Sequence, residues 1–292
     1  MSRKGWALFA FVGLLWGIPY LFMKVAIEEL STAMIVFARL VIGALFLLPL
    51  ALRSPTISAV RKFWPYIALY AVLEMVIPWS LITSAQRDLS SGVVALLVAT
   101  VPIWATLFAH RTGDTTAAER TRLFGIGIGL VGIVLIVGIE SWGDFKNFQS
   151  LAQVLVASAS YAWAVNMVSR RVSGVSGVTI NAIAMVMAAL VFAPFALQTL
   201  PSTLPSGAVL LSTLGLGLLC TGVAFWLFFL VLDEIGPARS ALVVYPNTAV
   251  AVLLGILILS EPITIAIAIG LPLVLVGSYL AGRRPTTQPT VA

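Results

Sequence analysis

The sequence predicts an all-α membrane protein, with ten transmembrane helices in two inverted five-helix repeats around a central cavity. Three observations predict it. The 292 residues are 60% hydrophobic and 10% charged, with a mean hydropathy of +1.07, an apolar excess that no soluble core of this size would bury. Apolar runs bounded by charges and turn residues recur ten times. The stretch Gly236 to Thr264 has a degraded copy at Gly92 to Thr116, so the chain reads as a duplication.

The runs lie at approximately 5–23, 32–52, 64–83, 91–109, 123–139, 151–169, 178–198, 208–232, 239–259 and 263–282. Most come close to the ~20 residues that cross a hydrocarbon core of about 30 Å as a helix. The first follows Arg3 and Lys4 as a signal peptide would, but it continues to Val25 with no small-x-small cleavage site, so it is read as a span. The connections are short, and nothing resembles a soluble domain. Cys220 is the single cysteine and His110 the single histidine, which leaves no disulfide, CxxC pair or metal cluster to build; no cofactor and no metal are expected. The net charge of +6 forms no basic cluster on a polar domain, so a nucleic-acid partner is not expected either.

Topology accounts for the positive charge. With the amino terminus inside, the inner segments hold Arg3, Lys4, Arg53, Arg61, Lys62, Arg111, Arg120, Arg122, Arg170, Arg171, Arg239, Arg283 and Arg284. The outer segments hold Lys24, Arg87 and Lys146, a bias that places both termini in the cytoplasm. Arg39 is the cation left over, inside a span.

The halves match by offset. Trp16-Gly17 corresponds to Trp163-Ala164 and Lys24 to Arg171 at 147, and Ala44 to Leu52 corresponds to Ala189 to Leu197 at 145 with five of nine residues identical. Pro102 corresponds to Pro246 at 144, and Gly125 and Gly132 to Gly270 and Gly277 at 145. Five spans is an odd number, so the second half enters the membrane from the opposite side, as an inverted repeat. The division is residues 1–140, residues 141–284, and a cytoplasmic tail at 285–292. Pro102 and Pro246 interrupt spans 4 and 9 in corresponding positions, the best sequence pointer to a transport site near the bilayer midplane.

Those residues carry a family resemblance over nearly the whole chain. The Trp16-Gly17 pair with Lys24 eight residues on, its Trp163-Ala164 counterpart, the two mid-span prolines, and Ser260-Glu261-Pro262-Ile263-Thr264 before a glycine-containing last span resemble the drug/metabolite transporter superfamily, EamA type. The resemblance implies ten helices in two inverted halves, a central cavity, and small metabolites as substrates, often exported. Within the superfamily the chain looks most like bacterial amino-acid exporters, including the aromatic-amino-acid branch. It departs from symmetry in having Thr116 where the second half has Glu261.

Two other motif matches are set aside. Gly127, Gly129 and Gly132 spell a GxGxxG fingerprint, but inside an apolar run with no strand before it and no acidic residue about 20 positions on; small-residue helix packing is the expected role. Gly174 to Gly177 spells the GxSG of intramembrane proteases. Its only possible base, His110, is at a helix end in another half of the chain.

Polar and aromatic residues inside the spans carry the remaining chemistry. Residues three or four apart share a helix face, which groups Trp16, Tyr20 and Met23 on span 1 and Trp163, Asn166 and Arg170 on span 6. On span 3 the same spacing aligns Tyr66, Tyr70, Glu74 and Pro78, with Trp79 beside them. On span 9, Ser240, Val244 and Asn247 lie beside Tyr245. Spans 5 and 10 are nearly free of polar side chains and are expected to buttress a cavity built from the other eight. Trp6, Trp64 and Trp142 suit interface belts. The expected substrate-binding set is Trp16, Tyr20, Arg39, Glu74, Pro78, Trp79, Pro102, Trp163, Asn166, Tyr245, Pro246 and Asn247, with no catalytic residue.

Arg39 and Glu74 need partners, since a charge at the bilayer centre costs roughly 2.5–3.5 kcal/mol. At 1.5 Å per residue they fall about 11 and 15 Å deep on consecutive antiparallel helices, which predicts an ion pair. Either the pair is structural, or the arginine binds a carboxylate and the glutamate an ammonium of a zwitterionic substrate. The sequence thus predicts an inner-membrane exporter of amino acids, aromatic or neutral, working by alternating access in the lipid bilayer; it leaves the oligomeric state open and is compatible with a monomer. A proton-coupled drug or cationic-metabolite antiporter is the alternative transport reading; an intramembrane enzyme or a lipid scramblase is the alternative from another class.

Overall fold

A computed structural model describes residues 3–111, 120–140, 144–236 and 240–282. Among these residues every regular element is helical, and nine helices are long and apolar enough to cross a membrane. They are α1 Arg3–Ala26, α2 Thr32–Leu52, α3 Ile57–Ala85, α4 Ser91–Arg111, α5 Arg120–Glu140, α6 Phe145–Arg171, α7 Gly177–Gln198, α8 Gly207–Ile235 and α10 Ile265–Gly282. The apolar helix α9, Ala241–Leu257, is shorter. All ten expected spans are present as helices; Thr116, Trp142, Arg239, Arg283, Arg284 and the tail at 285–292 lie outside the described residues.

Side-chain caps start several of these helices where the sequence turns from polar to apolar. Ser31, Ser90, Ser176 and Ser206 each accept a backbone N–H three residues on, opening α2, α4, α7 and α8; Asp144 does the same for α6. Each cap satisfies a donor that the first helical turn leaves orphaned. Ser176 of the GxSG match is therefore the cap of α7, accepting from Thr179 N.

The helices are interrupted where donors are missing or carbonyls displaced. Pro78 supplies no N–H, and five residues of α3, Val72–Val76, become a π segment in which the Ile77 N–H reaches back to Val72 O. In α8 the π segment is Leu218–Val223. α4 breaks between Val98 and Val101, ahead of Pro102. Pro246 does not break α9 as expected. A 3₁₀ turn over Ala241–Val243 leads into an α-helix that starts at Val244, so Pro246 occupies the first turn, where a missing N–H costs no hydrogen bond.

Close crossings come from glycine. α2 packs along α7, and α5 along α10; in the second pair a Cβ on Gly125 would stand 2.8 Å from Gly277 O, and one on Gly277 would stand 2.6 Å from Gly129 Cα. Of the GxGxxG glycines, Gly129 and Gly132 meet α10 or its neighbours, whereas Gly127 faces open space. α3 and α4 pack on α6, and α8 and α9 pack on α1. A Cβ on Gly13 would stand 2.8 Å from the Pro246 ring. Two apolar grooves of about 410 and 280 Å³ lie between α5 and α10 and between α3 and α7, away from the expected binding residues.

Candidate functional site

One π segment interrupts α3 and another α8, and the second bonds to Arg39 through Thr221. A π turn carries one extra residue per hydrogen bond, so it advances the helix face and displaces carbonyls that an unbroken α-helix would satisfy. In α3 the displaced Leu73 O accepts the Ser160 hydroxyl of α6 at 2.7 Å, and Ser80 donates to Val76 O at 2.6 Å. In α8 the Thr221 hydroxyl donates to Leu216 O, five residues back, at 2.9 Å. Glu74 sits in the first π segment, Cys220 and Thr221 in the second.

Arg39, on α2, is buried at 8% exposure. Its Nε donates to Thr221 Oγ1 at 2.8 Å, and its guanidinium carbon lies 3.7 Å above the centre of the Trp79 ring. Tyr20, Tyr161 and Cys220 are within its electrostatic reach. A guanidinium is planar and weakly hydrated, which suits it to lying flat on an indole while one edge is bonded.

The expected ion pair is absent: Arg39 is bonded to Thr221 instead of Glu74. The π segment is the physical reason. Equal depth on antiparallel helices fixes height, but the extra residue changes which way position 74 faces. Glu74 Oε2 is buried without a hydrogen-bond partner. Tyr161 interacts electrostatically with both Glu74 and Arg39. Tyr70 completes this side, its hydroxyl donating to Asn181 Oδ1 at 3.3 Å while Asn181 Nδ2 donates to Gly177 O at 3.0 Å.

From the expected set the structure joins Arg39 to Trp79, with Tyr20 within electrostatic reach of Arg39; Glu74 stands in the α3 π segment, and Pro78 is buried next to Trp79. Trp16 is half-buried on the α8 aromatics, 4.7 Å from Phe228 and 5.6 Å from Phe225 between ring centres. Trp163 is 54% exposed and meets Phe108 at 6.2 Å. Asn166 is half-buried one turn further along. Tyr245 stands edge-on to Tyr279 at 6.4 Å, and Asn247 is buried under α1, its carbonyl 2.8 Å from where a Cβ on Gly17 would be.

Tyr161, Thr221 and Cys220, which lie outside the expected set, surround Arg39. Letter identity favoured the tryptophans at offset 147, yet at 145 the counterpart of Trp16 is Tyr161, which packs into the core and interacts with Trp79 much as Trp16 packs on Phe225. Offset 145 also joins Pro49 to Pro194, so that register was the readable signal.

Hydroxyl groups take up carbonyls at the break in α4. Leu97 O accepts the hydroxyls of Ser158 at 3.0 Å and Thr100 at 2.6 Å, and Ala99 O accepts Ser278 of α10 at 2.7 Å. Thr106 donates to Pro102 O and to Ala281 O at 2.9 and 2.8 Å. Hydroxyls of α6 and α10 thus take up carbonyls of α4, and α10 contributes polar groups as well as support.

Sequence comparisons agree with this architecture. The Escherichia coli K12 protein named uncharacterized inner membrane transporter YedA is 28% identical over 297 residues, 98% of this chain and 94% of its own. The Bacillus subtilis protein named uncharacterized transporter YoaV is 27% identical over 279 residues, 92% and 93% of the two chains. A crystal structure 19% identical to the chain superposes with a TM-score of 0.65 over 96% of this chain and 97% of that one, a likeness of fold. The model of the EamA-like transporter family matches twice, at residues 3–138 and 150–283, and the chain belongs to that family.

Proposed function

We propose that the protein is an inner-membrane exporter of zwitterionic metabolites, aromatic or neutral amino acids foremost, that works by alternating access. The observation behind this reading is that Arg39 and Glu74 do not neutralise each other. Arg39 lies on Trp79 with Nε bonded to Thr221, and Glu74 Oε2 is unpartnered, so each charge is available to one end of a zwitterion. Trp79 offers aromatic surface against Arg39, and Tyr20 and Tyr161 are within electrostatic reach of it.

Alternating access requires two halves that rock about the site, and we propose inverted repeats at 1–140 and 141–284. The π segments that start at Val72 and Leu218 are 146 residues apart, and the packing of α3 and α4 on α6 echoes that of α8 and α9 on α1. The lysine and arginine bias puts both termini in the cytoplasm.

Counterflow of labelled L-phenylalanine in proteoliposomes tests this. Arg39→Met and Glu74→Gln should each reduce it at least tenfold, about what one lost charge-assisted hydrogen bond costs. Wild-type rates in both variants would refute the zwitterion site. The unpartnered Oε2 also favours a second reading, in which Glu74 exchanges a proton for a cationic substrate. In that case an imposed pH gradient drives uptake in the wild type and not in Glu74→Gln.

A further inference from the structure

α2 and α8 cross at a glycine seam. A Cβ on Gly43 would stand 2.7 Å from Thr221 Cγ2, one on Gly217 would stand 2.6 Å from Ile42, and one on Gly222 would stand 2.9 Å from Phe46. The bare face of Gly43 thus seats the Thr221 methyl group. Gly43 is one helical turn from Arg39, so a methyl seated there turns the other branch of the same side chain toward the guanidinium. The hydroxyl has one proton and gives it to Leu216 O, which leaves only lone pairs to face Arg39 Nε. Thr221 is fully buried, and in this orientation it can only accept from arginine.

We infer that Thr221 is a positioning residue for substrate binding: clamped by Gly43 and the α8 π turn, it holds the Arg39 guanidinium flat on Trp79 so that its terminal nitrogens are presented to a substrate carboxylate. Either part of this clamp alone is insufficient. Stacking on Trp79 leaves the guanidinium free to turn in its own plane, and the Nε bond leaves it free to tilt. Together they fix the plane and its edge, which is what recognition of a planar carboxylate by two nitrogens requires. The inference rests on the proposed role of Arg39 as the carboxylate anchor.

Two substitutions separate positioning from packing. Thr221→Val keeps the branch on Gly43 and removes the hydroxyl; Thr221→Ser keeps the hydroxyl and removes the methyl. In proteoliposome counterflow of L-phenylalanine, Thr221→Val should raise KM about tenfold with the maximal rate little changed, and Thr221→Ser should stay within about threefold of wild type. Gly43→Ala, which pushes on the methyl, should raise KM in the wild-type background and much less in Thr221→Ser. A readout independent of substrate is the rate at which phenylglyoxal labels Arg39 in detergent, followed by mass spectrometry. Thr221→Val should increase it severalfold, as should Gly43→Ala if Thr221→Val does not fold.

Unchanged KM and labelling in Thr221→Val, or equal impairment in Thr221→Ser, would overturn the positioning role. Arg39→Met run alongside distinguishes the two levels. If it abolishes counterflow while Thr221→Val does not weaken it, only the positioning claim fails. If Arg39→Met itself transports with normal KM, the proposed anchor fails and this inference with it.

Discussion

Glu261 Oε1 accepts the backbone N–H of Ser91 at 2.8 Å, so a carboxylate from the α9–α10 connection caps the first turn of α4 across 170 residues of sequence. The turn that aims it is built by Ser260, whose φ of 56° lets the Glu261 N–H return to Gly255 O at 3.0 Å. A negative charge at a helix N-terminus is favoured by both the orphan donors and the helix dipole. Glu29 does the same for α8, its Oε2 accepting Ser206 N at 2.7 Å. The SEPIT motif, noticed as a family mark, therefore has a mechanical role in joining the two halves of the chain.

Glu261→Ala should cost about 1 kcal/mol, the usual loss for a cap, and lower the melting temperature in detergent by about 2 °C. Glu261→Gln, which still accepts the Ser91 N–H, should lose less. Equal melting of Glu261→Ala and wild type would mean that the contact contributes nothing.

Asp88, in the α3–α4 connection, bonds to exposed Lys146 at 2.6 Å and to Ser150 Oγ at 2.7 Å. Partial burial pushes its carboxyl up, but the hydrogen bonds from Lys146 and Ser150 and the Lys146 charge reverse this and hold it below the ordinary value. A depressed carboxylate stabilises the fold above its unfolded value of about 4, and that contribution is lost as pH falls through the lower folded value. Melting curves from pH 6 to 3 should show an acid loss in the wild type that is smaller in Asp88→Asn. The difference should shrink in high salt, because Lys146 is 74% exposed.

Because Arg39 and Glu74 are not paired, removing both should not restore what removing one loses. Arg39→Met orphans Thr221 and strips Trp79 of its cation, while Glu74→Met relieves an unpartnered carboxylate. Thermal stability of the double variant should equal the sum of the single changes within about 0.5 kcal/mol. A rescue of several kcal/mol, as for a broken buried pair, would contradict the geometry.

Ser278→Ala leaves Ala99 O without its donor at the break in α4, and should cost about 1–3 kcal/mol. Ser278→Thr should be better tolerated than Ser278→Val. A thermal shift assay in detergent reads the order; a neutral Ser278→Ala would mean another group takes over the carbonyl.

Much of the site was readable in outline but not in its pairings. Arg39, Glu74, Tyr20 and Trp79 stand out because polar or charged groups in apolar spans are costly, and that cost is visible residue by residue. Thr221 does not stand out, since a lone threonine in a hydrophobic helix is ordinary and its partner is 182 positions away. Tyr161 was hidden by Trp163, whose letter matched better and whose side chain faces outward.

The sequence by itself determined the family, the ten helical spans and their approximate ends, because hydrocarbon is a uniform solvent that forces every spanning segment to be long, apolar and internally hydrogen-bonded. Only the tertiary structure decided who bonds to whom inside the bundle. Prolines mark where a helix can break, but whether the displaced carbonyls are spent on serines of other helices, as at Leu97 and Ala99, depends on contacts between remote segments. The π segments at Val72–Val76 and Leu218–Val223 shift the register of the faces by one residue, and a period read from sequence has no means to register that shift.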